Sequence, residues 1–351
     1  MDKIIDLYLT NQATRKDWQS FLVSLGIHNF SQREINVIDR TLGLVDENNQ
    51  LVATGSVAGH VLKYIAVNNA GAKSGSRFNQ IVTALMEVLF NQQIYHALVF
   101  TKPKYISSFQ HLGFRELAHS SQAAFLESGT PDVDDYLNEL PQVAHADQKK
   151  IAAIVMNANC FTLGHQHLVE RAARENDFVY VFVVAADLSL FTFEERFNLV
   201  KAGCQNWHNV FVVSGNDYMV SSATFPAYFL PSSDDLIQNQ TTIDVRLFKK
   251  IISPKLHITR RYVGTEPFSR TTSLYNEVLN RELEPEVRLV EVPRYQVGQN
   301  VITATRVRED IRDGNLAEIK TLVPATTMNF IQDHFSELQT RIKKGMNIDG
   351  N

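Results

Sequence analysis

IAAIVMNANCFTLGHQHLVERAARENDFVYVFVV, from Ile151 to Val184, runs apolar, then polar, then helical in period, then apolar again. Two strand-like runs joined by one amphipathic helix predict a βαβ unit with its strands parallel. The unbroken apolar character of Phe178–Val184 suits a central strand buried on both faces. Further strands are expected at Ile151–Met156, Asn209–Val213, His257–Val263 and Val287–Val292, alternating with helices at Leu163–Arg174, Phe193–Ala202, Ile243–Ile252 and Arg306–Asp313. That alternation predicts an α/β fold, a parallel sheet wound with helices on both faces.

In such sheets a ligand sits outside the carboxyl ends of the strands. The first strand-to-helix turn is Asn157-Ala158-Asn159-Cys160-Phe161-Thr162. Thr162 is placed to cap the helix, which puts His165 at its third position, among unpaired N–H groups that favour an anion. Neither G-x-x-x-x-G-K-[ST] nor G-x-G-x-x-G occurs, so a P-loop kinase and a dinucleotide dehydrogenase both lose ground. An imidazole N–H at this place can stabilise charge building on an attacked phosphate. Taken alone, His165 and His167 read equally as surface residues of an amphipathic helix. A zinc site from Cys160, His165 and His167 is disfavoured, because Cys-x4-His-x-His is not a familiar zinc spacing and no fourth ligand is evident. His167 falls about 200° around the helix from His165 and reads as a bystander.

A second candidate element lies in VGQNVITATRVREDIRDGN. Thr303 and Thr305 can cap a helix whose first turn holds Arg306 and Arg308, where the dipole disfavours cations. A polyphosphate gripped by forked guanidiniums explains the pair, and a solvated helix start of mixed charge explains it as well.

Earlier in the chain the order changes. A strand near Ile5–Leu9 is followed by helices at Arg15–Leu25 and Gln32–Leu42, a hairpin turning at Asp46-Glu47-Asn48-Asn49, a strand at Lys63–Val67, a helix at Arg77–Phe90 and the strand YHALVFT. Neighbouring strands of this kind predict an α+β domain with a mostly antiparallel sheet. The polar, proline-bearing segment from Glu127 to Lys150 is the expected boundary. The reading is a first domain over 1–130, a linker over 131–150, a second domain over 151–342 and a frayed tail over 343–351.

Composition narrows the class. The chain has 351 residues, is 44% hydrophobic and carries a net charge of -4, enough for two cores and without the basic surface of nucleic-acid binders. No apolar run is long enough for a membrane span, the N-terminus lacks a signal-peptide pattern, and the two cysteines make a disulfide framework implausible. A cytoplasmic protein with neither a nucleic-acid nor a membrane partner is expected.

Thr162-Leu163-Gly164-His165, SLFTFEERFNLV and ITATRVRED occur in the order characteristic of the nucleotidylyl transferase superfamily, with its HxGH or TxGH signature. Within it, NANCFTLGHQHLVE, SSATFPAYFL, RRYVGTEPFSRTTSLYN and ITATRVR resemble the citrate lyase ligase family, and LKYIAV and FTKP extend the likeness into the first domain. The resemblance implies an ATP-dependent ligase: acetate and ATP give acetyl-adenylate and pyrophosphate, and the prosthetic-group thiol of the citrate lyase acyl-carrier subunit takes the acetyl group. It implies catalytic roles for His165, Thr162 and Arg308, and ATP binding by Asn157, Asn159, Phe161, Thr162, Gly164, His165, Gly264, Glu266, Thr303, Thr305 and Arg308. Mg2+ would ride on the phosphates, with no dedicated protein metal site.

The chain departs from the family at Cys160, where proline is usual. It also reads Ala185-Ala186-Asp187-Leu188-Ser189 where relatives acting on phosphorylated acceptors carry lysines, which fits a small carboxylate better. Glu194, Glu195 and Arg196 read as structural. Tyr262, Thr265, Glu266, Tyr275 and Asn276 are expected to line the nucleotide or acyl site, and SSATFPAYFLPSSDD to form either a lid or packing. The first domain resembles the GNAT-type N-acetyltransferase fold, whose loop after the fourth strand would hold a CoA-like arm, here with Gly71, Lys73, Ser74 and Gly75. Ser76 replaces the last glycine of that pattern, and a plain turn rich in small residues is an equally good local reading. The competing readings are a nucleotidyltransferase acting on a phosphorylated small molecule and an acetyl-CoA-dependent acetyltransferase.

Overall fold

The computed structural model describes residues 2–70, 75–187, 189–219, 225, 228, 233–265, 270–297, 300–346 and 348. The first elements are β1 (Lys3–Asp6), α1 (Gln12–Ser24), α2 (Gln32–Asn36), β2 (Arg40–Val45), β3 (Leu51–Ala58), β4 (Val61–Val67), α3 (Ser76–Asn91), β5 (His96–Thr101), α4 (Ile106–Gln110), β6 (Arg115–His119), β7 (Ala124–Gly129) and α5 (Val133–Glu139). Then come β8 (Ile151–Met156), α6 (Leu163–Glu175), β9 (Phe178–Val183), α7 (Phe193–Cys204), β10 (Val210–Ser214), α8 (Ser233–Leu247), a π turn (Phe248–Ile252), α9 (Ser253–Lys255), β11 (Arg260–Gly264), α10 (Arg270–Leu283) and β12 (Arg288–Val292). A short hairpin of β13 (Gln296–Val297) and β14 (Asn300–Val301) leads into α11 (Ala304–Asp313), α12 (Leu316–Ile319), α13 (Ala325–Asp333) and α14 (Phe335–Lys343).

The chain divides into two compact units, Met1–Tyr136 with Phe225–Asn239, and Leu137–Thr224 with Gln240–Asn351. The segment 131–150 is not bare linker, since it carries α5, in which Val133 and Leu137 are fully buried.

The first unit holds a mixed seven-stranded sheet, β1-β2-β3-β4-β5-β7-β6, in which only the β4–β5 pairing is parallel. Helix α3 buries Phe78, Ile81, Val82, Leu85, Val88 and Leu89, the stripe a period of 3.6 places on one face. Gly55 on β3 admits Leu85, since a Cβ there would stand 2.6 Å from its Cδ1. A second cluster gathers Trp18, Leu22, Ile27, Ile35, Tyr64, Ala66 and Tyr228. Trp18 donates to Thr54 Oγ1 at 3.1 Å, so its indole N–H is not buried unpaired. The helix expected over Gln32–Leu42 stops at Asn36, and Arg40–Val45 is instead β2, paired on both sides with β1 and β3. Ladder bonds on two flanks outweigh a weak helical preference there. Strands β6 and β7 had no counterpart in the sequence reading.

The second unit holds a five-stranded, all-parallel sheet, β10-β9-β8-β11-β12. Strand β8 is central, and connections leave it toward β9 on one side while β11 pairs on the other. The order reverses at β8, so the crevice for a ligand opens at its carboxyl end. The helix expected over Ile243–Ile252 is the end of the longer α8 and the π turn. Strand β11 begins at Arg260 rather than His257, because His257 adopts a left-handed φ of 54° that ends the preceding turn.

Candidate functional site

The loop after β8 is held from several directions. Asn157 Nδ2 donates to Ser189 Oγ at 3.2 Å, and Asn159 Oδ1 accepts the Phe191 N–H at 3.2 Å. The Asn159 carbonyl accepts from Arg308 Nη1. The peptide bond between Asn159 and Cys160 is cis. Phe161 is fully buried with its ring against Gly203 of α7, where a Cβ would come within 2.3 Å of Phe161 Cε1. The Phe161 side chain therefore packs the loop down, and its backbone is what faces the helix start. Arg196, fully buried, donates to the carbonyls of Phe191, Asn157, Val184 and Ala186, tying the loops after β8 and β9 together. Glu195 completes a capping box with Thr192 and pairs with Arg341 at 2.7 Å.

Thr162 caps α6, and His165 is its N3 residue. His165 Nδ1 accepts the Thr162 N–H at 3.1 Å and lies 2.9 Å from Thr162 Oγ1. An imidazole whose Nδ1 accepts carries its proton on Nε2, so the ring is fixed as an Nε2–H donor. Burial, then the charges of Arg294 and Arg308, push the His165 pKa down to about 4. The ring is neutral near pH 7 and donates without carrying charge. His167 faces elsewhere, its ring stacked on Tyr295 at 5.0 Å.

Helix α11 brings the second candidate element to the first. Thr303 is its N-cap and accepts the Arg306 N–H at 3.2 Å. Gly164, in the first turn of α6, lies where a Cβ would be 3.6 Å from the Ile302 carbonyl, so the two helix starts meet. Arg308 is buried, and its Nε and Nη2 donate to Ile348 O at 2.7 Å and Thr305 Oγ1 at 3.0 Å. Arg306 is exposed and pairs with Asp310 at 3.1 Å.

Cys160 belongs to the apolar core, where burial pushes its thiol up to about 12. Gly264 ends β11 and its carbonyl accepts from Asn276 Nδ2 at 3.2 Å; Glu266 lies outside the described residues. Tyr262 and Tyr275 do not line the crevice. The Tyr262 hydroxyl donates to Glu175 at 2.7 Å, at the far end of α6 from His165, because strand alternation turns it into the core. The Tyr275 hydroxyl joins Asp244 and Arg261 in a buried network. Arg294, which no motif singled out, is anchored by Thr265: its N–H donates to Thr265 Oγ1 at 3.2 Å and its Nε to Thr265 O at 2.8 Å. Its only sequence signal is its place just beyond the carboxyl end of β12.

In the first unit, β4 and β5 pair only through Val61–Leu98 and Leu62–Val99. Beyond that point a cavity of about 250 Å³ opens, with apolar walls, Lys102 and Lys104, and Tyr228. Of the expected arm-binding residues, Gly75 caps α3 in left-handed geometry, while Gly71, Lys73 and Ser74 lie outside the described residues. Arg77 donates to the carbonyls of Asn68 and Ala70 at 2.7 and 2.9 Å, holding the loop's near end. Of the aromatics in SSATFPAYFL, Phe225 packs edge-on to Phe100 and Tyr228 stacks on Tyr64 at 4.1 Å. Among the described residues no group of three or more His, Cys, Asp or Glu could hold a metal ion, and no helix is long and apolar enough to cross a membrane.

The second unit is an all-parallel α/β sheet whose central strand ends where two helix starts converge beside a neutral imidazole donor. Residues 151–331 match the family described as "Citrate lyase ligase C-terminal domain". The [citrate [pro-3S]-lyase] ligase of Haemophilus influenzae is 33% identical over 82% of this chain and 87% of that protein, and the Klebsiella pneumoniae enzyme is 35% identical over 84% and 87%. The chain belongs to the [citrate [pro-3S]-lyase] ligase family, acid–thiol ligases that activate citrate lyase. Similar solved structures include a GNAT-family acetyltransferase from Staphylococcus aureus, 16% identical over 37% of this chain and 99% of that one with a TM-score of 0.30. A putative nicotinate-nucleotide adenylyltransferase from Vibrio parahaemolyticus is 15% identical over 57% and 99%, with a TM-score of 0.33. Scores this low carry no weight beside the strand order itself.

Proposed function

We propose that this enzyme activates acetate with ATP and passes the acetyl group to the prosthetic-group thiol of the citrate lyase acyl-carrier subunit. An acetate oxygen attacks the α-phosphorus of ATP, the bond from that phosphorus to the pyrophosphate oxygen breaks, and acetyl-adenylate and pyrophosphate result. The thiol sulfur then attacks the acetyl carbonyl, the bond to the AMP oxygen breaks, and the thiol proton passes to solvent. The observation that carries this reading is the Thr162–His165 cap, which leaves an uncharged Nε2–H donor at a helix N-terminus. Such a donor stabilises charge growing on the α-phosphate without repelling Arg294 or Arg308.

The converging starts of α6 and α11, with Thr303, Thr305 and Arg308, suit the β- and γ-phosphates, and Asn157, Asn159, Gly164 and Gly264 shape the rim around them. Magnesium would supply charge neutralisation while held by the phosphates and water. The cavity between β4 and β5, with Lys102 and Lys104, suits the CoA-like arm of the carrier, with 71–75 as its phosphate loop. Lys102→Ala should then raise KM for the holo carrier while leaving the adenylation half-reaction unchanged.

The test is acetate-dependent exchange of pyrophosphate into ATP. His165→Ala should lower its rate by roughly 100- to 1,000-fold, as loss of an oxyanion-type donor does. Exchange that proceeds equally well without acetate would refute the mechanism.

A further inference from the structure

Leu98 donates its N–H to the His60 carbonyl at 2.9 Å, so His60, Leu62 and Tyr64 turn their backbone polar groups toward β5. The β4–β5 ladder stops at Leu62–Val99, and the next amide on that side belongs to Tyr64. It donates to the Tyr228 hydroxyl at 3.1 Å, a partner 164 residues further along the chain. A bulge sets this pose. Lys63 pairs with Ser56 and Ala66 with Thr54, so Tyr64 and Ile65 together oppose Gly55. The Tyr64 φ of 51° is left-handed, a conformation that bulky residues keep only where their surroundings hold them.

Tyr228 lines the cavity of about 250 Å³ that opens where the strands part, as do Leu62 and Ile65 on either side of Tyr64, whereas Tyr64 does not. The Tyr228 ring, stacked on that of Tyr64 at 4.1 Å, is the wall that covers the bulge amide. A buried N–H needs an acceptor, and a phenol oxygen supplies one without charge, since burial pushes the Tyr228 pKa up. Lys102 and Lys104 line the same cavity. Lys102 lies three extended residues, roughly 10 Å, beyond Val99. The anionic end of a CoA-like arm belongs with these lysines, which leaves its sulfur end for Leu62, Val99 and Tyr228.

A free thiol is small, nearly apolar and only a weak donor, so it is content against that wall. A thioester brings a carbonyl oxygen in need of a donor and a methyl group in need of room. The bulge amide is the donor at this depth, and Tyr228 already holds both the amide and the space. On the arm-binding reading above, we propose that Tyr228 makes the cavity accept the arm as a free thiol and refuse it as an acetyl thioester. The substrate form of the carrier is thereby captured, and the acetylated product loses its hold.

The experiment is calorimetric titration of the full-length enzyme, with CoA and acetyl-CoA as probes of the arm. Wild type should bind CoA about tenfold more tightly or better, the worth of an amide bond that the thioester cannot take. Tyr228→Phe keeps the ring and removes the oxygen from the Tyr64 amide. Acetyl-CoA should then bind about three- to tenfold more tightly, its carbonyl taking the vacated place, with CoA changed less than about twofold. Tyr228→Ala should bring the two affinities within about threefold; if that variant fails to fold, Tyr228→Phe decides alone. Equal binding of both probes by wild type, or an unaltered preference in Tyr228→Phe, would overturn the proposal and leave the arm site standing. Binding of neither probe by wild type would remove the arm site and the proposal together, so the wild-type titrations separate the two failures.

Discussion

Replacing His165 with Gln should flatten the response of the protein's stability to acid. The imidazole is held neutral, its pKa lowered from an ordinary 6.5 to about 4 by burial and then by Arg294 and Arg308. In the unfolded chain the same ring binds a proton near 6.5. The unfolded state therefore binds more protons throughout the window from 6.5 down to 4, and stability fully present above 6.5 is lost as pH falls. At 1.36 kcal/mol per unit, the 1.5 units between 6.5 and 5 correspond to about 2 kcal/mol at pH 5, an upper figure because the ring keeps some exposure to solvent. Urea unfolding at pH 7 and pH 5 should show wild type losing up to that much more than His165→Gln, any constant effect of the substitution cancelling in the difference. Nitrogen NMR of the imidazoles should report the Nε2–H form of His165 from pH 7 to below 5. Parallel stability curves, or titration of His165 near 6.5, would refute the reasoning.

Two further outcomes follow from the packing around the loop. Gly203→Ala would drive a Cβ to within 2.3 Å of the buried Phe161 ring, so thermal or urea unfolding should show a loss of about 1–3 kcal/mol. The exchange rate should fall with it, because Phe161 holds the turn that ends in Thr162; unchanged stability and activity would mean the ring has room to move. Burial also pushes the thiols of Cys160 and Cys204 up to about 12. Neither should react with Ellman's reagent in the native enzyme at pH 8, and both should in urea; rapid labelling of the folded protein would contradict their place in the core.

The parts of the site that the sequence made readable are those whose geometry is local. A threonine three residues before His165 at the close of an apolar strand is enough to expect a cap, and the structure adds that the imidazole returns the bond. Thr303 at the head of α11 follows the same rule. Local pattern failed where a partner far along the chain decides the outcome. Gln32–Leu42 has helical period, yet β1 and β3 offer ladders on both sides of Arg40–Val45, and only the folded chain reveals them. Tyr262 sits in RRYVGTEPF close to the strand's end, but alternation along β11 sends it to Glu175 instead of the crevice.

Arg294 is the most instructive omission. It stands in no motif, and a lone arginine after Val292-Pro293 has nothing in its neighbours to set it apart from surface charge. Its importance arises because β11 and β12 are adjacent in the sheet although separated in the chain by α10, which lets Thr265 hold the guanidinium from 29 residues away. Arg308 shows the converse. The motif pointed to it as a phosphate ligand, and the fold gives it bonds to Asn159, Thr305 and Ile348, which join the loop after β8, the first turn of α11 and the C-terminal segment. A cation so placed can stabilise an anion at the helix starts only through a cradle it also builds. Loss of Arg308 should therefore disturb the position of His165 as well as the grip on phosphate, whereas loss of Arg294, which is bonded to Thr265, should leave the cradle standing.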